Sequence, residues 1–179
     1  MRWSLILALT FQLGCLPTIN PLVTEQDSFF DPAFLGVWVQ MGNASTWSVT
    51  HRGDRSYRVV CTDDSSRPVQ FIGRLAKIQN ELYLDLIPDE SVWHGNQFER
   101  IHSISIHTVY RVEIKNDSLN LFVIDFNKLK RYMEENGDKL PSVTWGDRQV
   151  ITATTSQLQA FIKDHPEMFP NRIELRREF

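Results

Sequence analysis

Cysteine is nearly absent: the 179 residues contain two, Cys15 and Cys61. Two thiols cannot make a disulfide scaffold or a cysteine-built zinc site. Neither sign of charge prevails, with 19 Lys and Arg against 22 Asp and Glu. No broad basic field is therefore present to hold nucleic acid. No apolar run approaches the roughly 20 residues that cross a bilayer as a helix. The sequence also lacks a phosphate-cradling glycine loop, an H-E-x-x-H zinc motif and a nucleophile elbow. No internal repeat of fixed period divides it. What remains, 42% hydrophobic and 23% charged residues, is the composition of one ordinary folded domain.

The N-terminus is set apart from that domain. One positive charge at Arg2 precedes an apolar run from Trp3 to Leu13, followed by Gly14 and Cys15. A charged start, a short apolar stretch and a small residue before the cut are the layout of a secretory signal. Leu13-Gly14-Cys15 resembles the end of a bacterial lipobox, with Gln12 where Leu, Val or Ile is usual. The resemblance implies that Cys15 is the lipidated first residue of the mature chain and holds it to membrane lipid. The expected divisions are a signal peptide over 1–15, a tether over 16–33, a β-rich domain over 34–170 and an exposed tail over 171–179. The tether is expected because 16–31 is rich in Pro, Thr, Asn and Gln and has no regular period.

From Phe34 onward the apolar residues alternate in short runs separated by turn residues. Strands are predicted over 35–41, 47–51, 56–61, 68–78, 81–86, 103–115 and 118–124, with a short one at 149–152. The period then lengthens. Helices are predicted over 126–136, capped by Asp125, and over 156–164, with a loop carrying Trp93 and His94 at 88–100. The expected fold is mainly β: a single antiparallel β-barrel or sandwich with two short C-terminal helices.

Gly36-Val37-Trp38 opens the first of these strands. Lipocalins open similarly, with a glycine that lets the chain pass close and an indole that plugs one end, and the resemblance implies a lipocalin-like barrel. The wider set, Gly36-x-Trp38, Trp47-Ser48-Val49-Thr50, Tyr57-x-Val59, Leu82 to Leu86, His107 and Thr152 to Thr155, is similar to a group of uncharacterised bacterial exported lipoproteins. It implies an anchored, β-rich envelope domain on the periplasmic or surface side and brings no activity with it.

Two classes of function are carried forward. The first is a binding protein whose ligand is an apolar small molecule or whose partner is an envelope protein. Trp38, Trp47, Tyr57 and Tyr83 then line the cavity, since aromatic side chains on successive strands supply an apolar wall. The second is a small hydrolase or other enzyme using Asp85 with His107, or with His94. Asp85 alternates with Leu82, Leu84 and Leu86, so it lies on the opposite face of its strand. His107 can meet it as a polar orienting pair. No cofactor and no metal site are expected. Cys61 reads as a buried thiol, and Arg52-Gly53-Asp54 as a hairpin turn.

Overall fold

The computed structural model describes residues 16–63, 67–92, 95–136, 139–145 and 148–178. Cys15 and the apolar segment before it lie outside the described residues, as do Trp93 and His94. In chain order the strands and helices are β1 (Leu16–Thr18), β2 (Gly36–Gln40), β3 (Thr46–Gly53), β4 (Ser56–Thr62), β5 (Val69–Ile78) and β6 (Glu81–Pro88). They continue with α1 (Gln97–Ile101), β7 (His107–Lys115), β8 (Ser118–Val123), α2 (Phe126–Asn136), β9 (Ser142–Trp145), β10 (Arg148–Ile151), α3 (Thr155–Asp164) and β11 (Asn171–Arg177).

Strands β2 to β8 form an antiparallel meander, and β11 inserts between β8 and β2. The β6–β7 pairing completes the ring, giving a closed eight-stranded antiparallel barrel of lipocalin-like form. Alternation explains the layering. Tyr57 and Val59 on β4, Leu75 on β5, Leu84 and Leu86 on β6 and Leu121 on β8 point inward and pack together. Residues between them point outward, and on part of the outer wall they form a second core. There Tyr83, Val109 and Ile124 meet Leu129 of α2 and Leu158 and Ile162 of α3. The interior is filled by large side chains, with Trp38, Phe34 and Tyr57 fully buried.

The G-x-W opening has a specific physical basis. Gly36 has φ +133°, a conformation that favours glycine. A Cβ there would collide with the guanidinium of Arg177. That guanidinium lies 4.2 Å from the centre of the Trp38 ring and donates to the carbonyls of Leu35 (2.6 Å) and Ala33 (3.0 Å). The Trp38 indole in turn donates to the carbonyl of Phe34.

Two expected divisions are corrected. Residues 16–33 are built into the domain: β1 pairs with β7 and β10, and Leu16 and Leu22 are fully buried. Side-chain and backbone polar groups of this segment fasten it to the C-terminal part of the domain. Asn20 donates to the carbonyls of Thr152 and Ala153, and Pro21 and Leu22 offer theirs to Thr155 and Gln159. The expected tail is β11, which closes the barrel through pairings to β2 and β8 and buries Leu175. Arg172, Glu174 and Arg176 sit on alternate, outward positions, while Arg177 shares the inward face of Leu175 and lies over Trp38, so the charges follow a strand period.

Smaller differences lie at element ends. Strand β7 begins at His107, leaving Ile104 exposed, and α1 occupies part of the loop expected over 88–100. Hairpin β9–β10 replaces a single strand. Both C-terminal helices stand where the period placed them. The carboxylate of Asp125 accepts from the backbone of Asn127 and Lys128, and Thr154 with Gln157 forms a capping box.

Candidate functional site

Four outward residues lie in one cross-strand block. Ile72 pairs with Ile87, and Arg74 pairs with Asp85, across β5 and β6. On one flank Arg58 of β4 is the partner of Ile72. On the other, His107 opens β7 and faces outward with them. Over this wall runs the arm between β1 and the 3-10 turn at Pro32–Phe34. The two enclose an open cleft of about 390 Å³, lined by Pro21, Val23, Ile72, Ile87, Arg74 and His107.

Asp85 is the hub. It is 4% exposed, which for a carboxylate demands full compensation. Its Oδ2 accepts from the backbone N–H groups of Leu22 (2.7 Å) and Val23 (3.1 Å), and its Oδ1 meets Nδ1 of His107 at 2.7 Å. A carboxylate can only accept, so Nδ1 carries the proton and donates. Nε2 is then presented as the second ring nitrogen, with no hydrogen-bond partner among the described residues. The His107 side chain keeps 13% exposure at the cleft. Such a held imidazole can accept a hydrogen bond or a proton from a molecule in the cleft.

Arg74 edges the same cleft. One of its nitrogens donates to the carbonyl of Asp54, and another reaches the carboxylate of Glu25 on the arm at 2.9 Å. Arg55 holds the backbone carbonyl of Glu25. Arg58 is exposed and makes no ion pair among the described residues.

No family model, curated protein or solved structure matches this chain. The site therefore rests on its own geometry.

The expected cavity residues are dispersed. Trp38 and Tyr57 are fully buried in the barrel interior, where the Tyr57 hydroxyl bonds the backbone of Asp31. Burial pushes the Tyr57 hydroxyl up to about 12. Trp47 is half-buried against the same cluster, edge-on to Tyr110. Tyr83 points the other way, into the outer core against Phe169. None of the four lines the cleft.

The other histidines are apart. His51 packs at a tilt against Phe30, His102 caps α1 through the carbonyl of Phe98, and His165 sits with Glu167 and Tyr132. Among the described residues no group of three or more His, Cys, Asp or Glu is arranged to hold a metal. Cys61 is half-buried, and desolvation pushes its thiol up to about 12, which disfavours the thiolate.

Sequence reasoning paired Asp85 with His107 and missed the rest. Arg74, Ile72, Ile87 and the arm residues Val23 and Glu25 went unselected. The available signal was Ile72 and Ile87 themselves, apolar residues on strand faces opposite the interior set.

Proposed function

We propose that this chain is an exported binding protein, lipid-anchored in the bacterial envelope through Cys15, which takes its ligand on the outer wall of a filled barrel. The N-terminal segment supports export and anchoring. The observation that carries the binding site is the open cleft over Ile72 and Ile87, with His107 oriented at its edge by Asp85. A mixed site of this kind, apolar floor and a few placed polar groups, suits a small molecule with an apolar body. The filled interior redirects the expected carrier function from Trp38, Trp47, Tyr57 and Tyr83 to the wall outside them.

The test is paired denaturing and native mass spectrometry of protein extracted from its host. The denatured mass should fit a chain starting at an acylated Cys15. Native spectra should retain extra mass in the wild type and in Trp47→Phe, and lose it in Ile87→Glu. A cut without lipid would overturn the anchor. Retention by Ile87→Glu would overturn the outer-wall site.

A second reading has one specific observation in its favour. The Asp85–His107 pair has the geometry of an oriented general base, and its Nε2 is free to take a proton from a bound water or hydroxyl. Among the described residues lining the cleft, Thr24 has the only hydroxyl, and it donates to Asp27. The reaction would thus have to use water as nucleophile. Ester hydrolysis that disappears in His107→Gln, with the fold retained, would favour this reading.

A further inference from the structure

Resting on the outer-wall reading, we infer that the cleft selects a small amphiphile with an anionic oxygen head, a carboxylate or a phosphate, seated on Arg74 with its apolar body over Ile72 and Ile87. The charge distribution points this way. Asp85 is largely spent as an acceptor: its buried Oδ2 takes the bonds of Leu22 and Val23, and its Oδ1 takes that of His107. The donors at the wall are guanidinium groups: Arg74 beside Asp85, and Arg58 beside Ile72.

A carboxylate already occupies the head position. Glu25 sits on Arg74 at 2.9 Å, yet its side chain is 74% exposed. An exposed ion pair of this type contributes little and exchanges readily. The surroundings are arranged so that only this side chain has to move. Arg55 holds the backbone carbonyl of Glu25, and Asp85 fixes the arm two and three residues earlier. The Asp54 carbonyl holds Arg74 itself. Glu25 is thus an internal competitor for the head group. Below the head, the paired isoleucines and Val23 offer an apolar floor and side.

The experiment measures binding of decanoate, decyl phosphate and decanol to the purified full chain by calorimetry. The two acids should bind at least tenfold more tightly than decanol, and their ratio identifies the preferred head. Glu25→Gln should tighten the acids about two- to fivefold, the size of a surface pair removed. Arg74→Gln should abolish the preference for acids, as expected for loss of a charge-assisted contact. Because Glu25 is exposed, its variant keeps the test valid even if Arg74→Gln folds poorly.

Decanol binding as tightly as the acids would overturn the anionic head while leaving the outer-wall site in place. Unchanged or weaker acid binding in Glu25→Gln would remove Glu25 as competitor and the inference with it. Absence of binding by all three probes would also overturn it. Acid-selective binding that Ile87→Glu leaves unaffected would instead place the site elsewhere, and the outer-wall reading itself would fail.

Discussion

Asp85 joins three parts of the molecule that are distant in sequence. Its carboxylate satisfies two backbone N–H groups of the arm and orients a histidine 22 residues away. Asp85→Ala removes all three partners at once and leaves buried donors unpaired, which costs about 1–3 kcal/mol for each group that water cannot reach. Urea unfolding should show this loss, together with faster hydrogen exchange at Leu22 and Val23. Asp85→Asn separates the roles. The amide oxygen can still accept from the arm, but the amide nitrogen faces Nδ1 and forces the other tautomer, so Nε2 becomes a donor to the cleft. Nitrogen chemical shifts of His107 should report that exchange, and an unchanged tautomer would contradict the assigned hydrogen bond. Asp89 gives a separate residue-level prediction. Hydrogen bonds from Ser91 and Gln70 hold its carboxyl below the ordinary value of 3.8, against the opposing effect of burial. A depressed folded value means stability that is present above the unfolded pKa and lost as pH falls through the folded one. Acid unfolding should therefore steepen below about pH 4, and Asp89→Asn should flatten that limb of the curve.

Among the elements, the two chain ends matter most. Among the described residues β11 is the only strand that joins β8 to β2, so a chain stopped after residue 170 leaves two unpaired edges on an open sheet. It should lose cooperative thermal unfolding, whereas Arg176→Ala, on the exposed outer face, should barely change it. At the other end, the arm is structural because Leu22 is fully buried in the outer core. Leu22→Ala should cost about 2–5 kcal/mol, where a free tether would have tolerated it; a melting curve distinguishes the two. The strands of the meander and the two C-terminal helices were legible because their periods of two and of three to four residues persist over whole elements. The ends were not. An arm held by backbone groups against Asp85 and α3 has no period to detect, and β11 writes its outward face in charges that also fit a solvated tail. The site was half legible for the same reason. Alternation placed Asp85 on the face opposite Leu82, Leu84 and Leu86 without telling interior from exterior, and the pairing that sets Arg74 beside it and Ile72 beside Ile87 depends on hairpin register.

For the molecule as a whole, the filled interior and the candidate cleft are built on opposite faces of the same strands. Inward residues of β4 to β7 fill the interior, while outward residues of β5 to β7 build the wall of the cleft and part of the bed for α2 and α3. Among the described residues no helix is long and apolar enough to cross a membrane. The decisive measurement is a methyl-resolved NMR titration of the protein with decanoate. The outer-wall account predicts saturable shifts at the methyls of Ile72, Ile87 and Val23, with the interior methyls of Val59, Leu84 and Leu86 little moved. Shifts concentrated at the interior methyls, with Ile72 and Ile87 silent, would contradict it and return the ligand to the barrel.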